Sequence, residues 1–471
     1  MRLPMAPTDS MFLLGESREH PMHVGGLLLL QPREGTDASD LKAMFAAALA
    51  DDEETAPLWR KRAVRSWSSL GQWAWEDEPS LDIDYHVRFN ALPTPGSVDE
   101  LWDLVSRLHA SLLDRSRPLW ELHLIEGLAD GRYAIYVKMH HALADGVGAM
   151  KLLRRALSTD PNETGMPAPW AVGRAEAPKS VVGTAIDLPG TALRAVREVV
   201  SEAVGIVPAL AGTVDRALHD RGGSLSLAAP RTILNVPIAG SRRFAAHSWP
   251  LERLRLVAKA ADATLNDVVL AMSAGALRTF LDEHDALPDA SLVAMVPVAL
   301  RSKESGNDIA ILVCTLATDR PDPAERLTAV RASMSEGKRA MKGMSTVSRL
   351  AASAVGIAPL AVGVLTGDRV LPRPAFNVIV SNVPGPDTAL YWNGARVDAL
   401  FPLSIPVDGQ ALNITCTSTD DRIAFGLTAC GRAVPGLGRL LELFDAELAC
   451  LEDAVGVGPG APRSADDPPR R

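Results

Sequence analysis

The chain has 471 residues, 47% hydrophobic and 22% charged, values that exclude disordered and fibrous classes. Its length predicts two or three domains, each able to bury a core. Net charge is −9, from 48 Lys and Arg against 57 Asp and Glu, which argues against a nucleic-acid binder but leaves room for a local basic site for a phosphorylated ligand.

Met1–Gly15 carries one early Arg and no apolar run longer than Met11–Leu14, so it does not read as a secretory signal. His23–Leu30 predicts a strand, stopped by Pro32, and Asp40–Leu49 predicts an Ala-rich helix. Ser97-Val98-Asp99-Glu100 is a capping box. It opens a helix through Leu101, Leu104, Val105, Leu108 and Leu112. Trp120–Gly127 and Arg132–Met139 flank Asp130-Gly131 and predict a hairpin. Tyr133, Ile135, Val137 and Met139 fall on one face of its second strand and Lys138 on the other.

Residues from about 160 to 232 are rich in Pro, Gly and Ala and predict a connector packed on the surface, with helix over Thr191–Ala211. A helix from Thr264 to about Glu283 follows, then strands at Leu292–Ala299 and Ile309–Ala317 and a helix over Pro323–Lys342. Leu350–Thr366 is the longest apolar stretch. It is shorter than the roughly 20 residues of a bilayer span and holds Pro359, so it predicts a buried helix pair or tunnel wall able to touch a membrane surface. Phe376–Ser381 predicts a strand, three more strands are expected before Asp421, and Gly436–Leu451 predicts the last helix. The tail after Val455 is expected to be disordered. Cys314, Cys416, Cys430 and Cys450 lie far apart without metal-type spacing, as expected of reduced, buried thiols in a cytosolic protein with no metal site.

The chemistry concentrates at His140-His141-Ala142-Leu143-Ala144-Asp145-Gly146, between the Met139 strand and a helix that starts near Val147. Two histidines at a strand end are expected to point into a cleft, where a neutral imidazole can take a proton. Gly146 is expected to permit the turn. Ala271-Met272-Ser273-Ala274-Gly275 fits a hydrolase elbow only by composition, because it lies inside a helical pattern. Gly146-Val147-Gly148 lacks the third glycine of a dinucleotide loop.

His-His-x-x-x-Asp-Gly resembles the signature of the bacterial wax ester synthase/diacylglycerol acyltransferase family, within the chloramphenicol-acetyltransferase-like, CoA-dependent acyltransferase superfamily. Further blocks resemble the family in order: Pro21–Gly25, Arg117–Glu121, Asn266–Ala271, Val296–Val298 with Arg301 and Gly306-Asn307, and Ser381–Pro386. Together they span about residues 5 to 455.

The resemblance implies two chloramphenicol-acetyltransferase-like α/β sandwich domains with the active-site channel between them. The expected division is an N-terminal domain over 1–160, a helical connector over 161–232, a C-terminal domain over 233–455 and a tail over 456–471. It also implies acyl-CoA as co-substrate, no permanently bound cofactor, and diacylglycerol or a long-chain alcohol as acceptor. His141 would be the general base, without an acyl-enzyme. His140, Asp145, Gly146 and Asn266 would support it, and Arg117 is a candidate ionic partner for Asp145. Lys338, Arg339 and Lys342 form a basic cluster suited to CoA phosphates. The expected location is cytoplasmic, peripheral to the inner membrane face or to lipid droplets. A peptide-condensation domain and a non-catalytic lipid-binding paralogue are the rival readings. The first lacks neighbouring carrier domains here, and the second would not need His141.

Overall fold

The computed structural model describes residues 2–33, 35–36, 38–50, 55–65, 72–171, 229–302, 306–342 and 374–458. The first half runs β1 (Arg2–Pro4), α1 (Pro7–Gly15), β2 (His23–Gln31), α2 (Ala38–Ala50), β3 (Lys61–Arg65), β4 (Trp73–Asp77), α3 (Ile83–His86), β5 (Val87–Ala91), α4 (Val98–Ala110), β6 (Trp120–Glu126), β7 (Tyr133–His140) and α5 (Gly146–Ala156). The second half runs β8 (Arg242–Pro250), α6 (Leu251–Ala260), α7 (Leu265–Asp282), β9 (Val293–Ser302), β10 (Gly306–Thr315), α8 (Pro323–Lys342), β11 (Val378–Val383), β12 (Tyr391–Trp392), β13 (Ala395–Leu403), β14 (Leu412–Ser418), β15 (Arg422–Cys430) and α9 (Leu437–Ala454).

Local signals account for much of this. Ser97 accepts from the Glu100 N–H while Glu100 reaches back to the Ser97 N–H, and Thr264 and Asp267 do the same at the start of α7. Gly131 has φ 76°, the left-handed conformation the hairpin turn needs. The hairpin pairs Trp120 with Met139 and Leu124 with Ile135. The alternating face of β7 buries Tyr133, Ile135 and Met139 in one core and Ala134 and Tyr136 in another.

Two six-stranded sheets result, ordered β12-β13-β2-β7-β6-β5 and β10-β9-β11-β14-β15-β8, beside a small β1-β4-β3 sheet. The first large sheet is completed by strands from late in the chain. β13 pairs antiparallel with β2, Phe401 opposite Leu27, with a register shift between Val397 and Ala399. A cut at residue 160 or 233 therefore does not separate two complete sheets. One continuous core joins them: Trp102 of α4 meets Phe244 of β8 and Phe401 of β13 edge-on, at 5.4 and 5.5 Å. Ser106 Oγ accepts from the Phe244 N–H at 2.9 Å.

β11 starts two residues later than the sequence pattern suggests. The Asn235 amide donates to the carbonyls of both Phe376 and Asn377, and the Asn377 N–H donates to the Val293 carbonyl at 2.8 Å. Cys314, Cys416 and Cys430 are buried, but Cys450 is exposed on α9, contrary to the expectation of four buried thiols. Thr191–Ala211, Leu350–Thr366 and the tail beyond Gly458 lie outside the described residues.

Candidate active site

β2 and β7 run antiparallel with His23 opposite His140, and the ladder continues one step as the His141 N–H donates to the Met22 carbonyl at 2.9 Å. The chain then turns: the N–H groups of Leu143 and Ala144 both donate to the His140 carbonyl. Asp145 ends the turn as the N-cap of α5, its Oδ1 accepting from the Gly148 N–H at 2.6 Å.

This corrects three expectations. Arg117 does not meet Asp145: it lies 2.9 Å from Asp82 and stacks over the Tyr85 ring at 3.9 Å. Gly146 is not the residue with a special conformation. It opens the helix without a positive φ, and a Cβ there would stand 3.5 Å from Val383 Cγ2, an ordinary contact. Gly148 matters more, because a Cβ there would sit 3.0 Å from the capping Asp145 oxygen. Finally, only one histidine faces outward. His140 is fully buried, whereas His141 is half-buried.

His141 stacks on Phe12 of α1, ring centres 4.0 Å apart and planes 19° from parallel. Burial lowers its pKa to about 4. Asp145 opposes the shift and His140 adds to it, so the imidazole is neutral at physiological pH. His140 is held differently. Its Nδ1 accepts from the Ala142 N–H at 3.1 Å, which closes the turn, and its Nε2 lies 3.5 Å from Glu16 Oε1. Glu16 follows the last residue of α1, is 1% exposed, and is bound by Arg115 at 2.7 Å and by the Met22 N–H at 3.2 Å. Burial works to raise its pKa, but His140 and Arg115 outweigh it and hold the carboxyl below its ordinary value.

Behind the turn lies a buried polar layer. Lys138 Nζ caps the end of α4 by donating to the carbonyls of Leu108 and Ser111, and pairs with Glu121 at 2.9 Å. Burial would raise the Glu121 pKa, yet His123, Lys138 and Arg88 bring it down to about 2. His23 Nε2 donates to the His109 carbonyl at 2.7 Å. His109 in turn lies 2.7 Å from the Tyr136 hydroxyl and donates to the Ser404 carbonyl at 3.1 Å, just past β13. Burial drives the His109 pKa down to about 3. The floor of the histidine turn is thus tied to the strand that arrives from the second half.

The late block Ser381–Pro386 reaches the same place. Ser381 and Asn382 end β11 in parallel register with Thr415 and Cys416, and Val383 faces Gly146. Gly385 presses on β14 so closely that a Cβ would fall 1.8 Å from the Ser418 carbonyl oxygen.

No hydrogen bond ties Asn266 to this cluster among the described residues. It lies half-buried in the first turn of α7, where its side chain makes no hydrogen bond among the described residues. Lys338 is half-buried and Arg339 exposed near the end of α8, and the side chain of Lys342 lies outside the described residues. Lys338 and Asp267 both act on the Cys314 thiol, which burial pushes up to about 12. Lys338 and Asp267 of the α7 first turn are thus both close enough to Cys314 of β10 to act on its charge. Ser273 of the elbow-like run is buried in mid-helix and donates to the Val269 carbonyl, and Gly275 leaves room for Glu447. Among the described residues, no group of three His, Cys, Asp or Glu could hold a metal ion.

Sequence reasoning missed Phe12, Glu16 and Arg115. The run Phe12-Leu13-Leu14-Gly15-Glu16 holds the signal: an apolar helix end followed by a lone carboxylate.

Comparison with known proteins agrees with this architecture. A family model for the wax ester synthase/diacylglycerol acyltransferase catalytic domain matches residues 5–269, and one for the WS/DGAT C-terminal domain matches residues 305–452. A Mycobacterium bovis protein named "putative diacylglycerol O-acyltransferase" is 51% identical over 470 residues, 98% of this chain and 93% of that protein. A Mycobacterium tuberculosis protein named "probable diacylglycerol O-acyltransferase" is 46% identical over 460 residues, 96% of this chain and 99% of that protein. The wax ester synthase/diacylglycerol acyltransferase from Marinobacter aquaeolei VT8 superposes with a TM-score of 0.78 at 41% identity, over 96% of this chain and 100% of that one. The starter condensation domain of rhizomide synthetase, solved with C8-CoA, shares the fold alone, with a TM-score of 0.56 at 14% identity over 96% of this chain and 96% of that one. Two family models matched in order, and relatives aligned along nearly the whole chain, place the protein in the wax ester synthase/diacylglycerol acyltransferase family, and it is an acyltransferase.

Proposed function

We propose that the protein transfers a long-chain acyl group from acyl-CoA to the free hydroxyl of a 1,2-diacylglycerol, giving triacylglycerol and CoA, and that long-chain alcohols act as alternative acceptors and give wax esters. The observation that carries this reading is the state of His141: a neutral imidazole at a strand end, stacked on Phe12, in the turn whose Gly146 meets Val383 of the late block. In the proposed step His141 takes the hydroxyl proton while the alcohol oxygen attacks the thioester carbonyl carbon. The tetrahedral intermediate collapses, the C–S bond breaks, and the proton passes from His141 to the CoA sulfur. No acyl-enzyme forms.

A base with a pKa of about 4 is too weak to ionise a free alcohol. Proton transfer must therefore accompany C–O bond formation, when the attacking oxygen becomes acidic. General-base catalysis supplies roughly 10²–10⁴-fold, and the rest falls to holding the two substrates in line.

Lys338, Arg339 and Lys342 supply positive charge for the CoA phosphates, and Asn266 is a polar contact for a substrate carbonyl or hydroxyl. Acceptor and product are both apolar, which supports work at a lipid surface on the cytoplasmic side. No helix among the described residues is long and apolar enough to cross a membrane. The test is ester formation by the purified chain from labelled palmitoyl-CoA with diacylglycerol or hexadecanol. Labelled triacylglycerol is the expected product; acyl-CoA left intact with both acceptors would overturn the reading.

A further inference from the structure

Of the two histidines in the turn, the one that cannot reach substrate is the one with the more elaborate surroundings. His140 is fully buried, yet it faces a second buried ionisable group, Glu16, at 3.5 Å. A buried carboxylate is unfavourable unless partners compensate. The compensation is in place: Arg115 and the Met22 N–H bind the carboxylate. The same Met22 accepts the backbone N–H of His141.

The His140 ring has one job that fixes its proton. Nδ1 accepts the Ala142 N–H, so Nδ1 must carry a lone pair and Nε2 the hydrogen. Nε2 is buried and makes no hydrogen bond among the described residues, and the acceptor group in front of it is the Glu16 carboxylate, 3.5 Å away and one short closing movement from accepting its hydrogen. The opposite tautomer would set two N–H groups against each other at Nδ1 and open the turn that presents His141.

We propose that Glu16, anchored by Arg115, is a positioning residue for acyl transfer: it holds His140 in the Nε2–H tautomer, and through the Ala142 hydrogen bond this fixes the turn that aims His141. The proposal rests on His141 being the base, and it adds that the aim of that base is set from the end of α1. Phe12, one turn earlier on the same helix, stacks on His141. A single segment, residues 12–22, thus touches both rings and the backbone between them.

The test uses the full chain with Glu16→Gln, Glu16→Met, Arg115→Gln and His141→Ala in steady-state acyl transfer. Gln keeps an acceptor oxygen and Met does not. The expected order in kcat is wild type above Glu16→Gln above Glu16→Met. The Met variant should lose roughly 10–100-fold, the scale of a misplaced catalytic group, with KM for acyl-CoA unchanged. Arg115→Gln, half-exposed and one step removed, should lose several-fold.

Ring ¹⁵N shifts of His140 give a second readout. The wild type should show the Nε2–H form, and Glu16→Met should show mixed tautomers. A folded Glu16→Met enzyme with wild-type kcat and an unchanged His140 spectrum would overturn the proposal. If Glu16→Met fails to fold, Glu16→Gln and Arg115→Gln decide it by the same readouts, and wild-type kcat in both would overturn it. A dead His141→Ala beside a fully active Glu16→Gln and Glu16→Met would leave the base intact and remove only the positioning role. An active His141→Ala would remove the base itself.

Discussion

Asp145 serves the histidine turn as a helix cap. Its carboxylate is committed to the Gly148 N–H as the N-cap of α5, and it meets no Arg117. Asp145→Ala should therefore cost about 0.5–2 kcal/mol, the worth of an N-cap, read by urea unfolding. A loss of roughly 3–5 kcal/mol, typical of a stranded buried charge, would mean that Asp145 has an ionic partner after all. Two histidines held neutral make a second residue-scale prediction. His141 and His109 are held neutral, with pKa values of about 4 and about 3. Both lie below the unfolded value of about 6.5. The unfolded chain therefore binds more protons between those limits. Stability is full above about pH 6.5 and falls as pH drops toward the folded pKa values, by roughly 1.4 kcal/mol per histidine for each pH unit in that window. His109→Gln should flatten that fall. An equally steep loss in the variant would show that other groups carry it.

At the scale of elements, the sequence told most where a local rule dominates. The Ser97–Glu100 capping box, the Asp130-Gly131 hairpin and the alternating face of β7 need only neighbouring residues, and all are present in the fold. The exchange of β13 into the first sheet was hidden, because strand periodicity says which face is buried but not which partner is chosen. The site divides the same way. The histidine turn was legible from its motif, whereas Glu16 was not: its partners Arg115 and His140 lie about a hundred residues away along the chain. Gly385 tests the element-scale account. It lets the end of β11 cross β14 at a separation where a Cβ would stand 1.8 Å from the Ser418 oxygen. Gly385→Ala should cost about 1–3 kcal/mol as an overpacked contact and should also lower turnover, because Val383 would shift from Gly146. Unchanged denaturation and unchanged turnover would show that the crossing yields without strain.

At the scale of the whole molecule, a protein of net charge −9 must bind a polyanionic co-substrate, so local charge has to oppose the overall field. Neutralising Lys338, Arg339 and Lys342 together should raise KM for acyl-CoA and leave KM for the alcohol nearly unchanged. An unchanged acyl-CoA KM would remove the cluster from the binding site. The two sheets share one core, and His109 ties the floor of the histidine turn to Ser404, so the site belongs to both halves of the chain. All of this converges on a single group at the end of β7. The most direct measurement is labelled triacylglycerol formed from palmitoyl-CoA and diacylglycerol by the wild-type chain and by His141→Ala, with thermal melts run on both. The account predicts matching melts and a loss of at least about 10²-fold in turnover, the lower bound for removing a general base. A folded His141→Ala protein with near-normal turnover would contradict it.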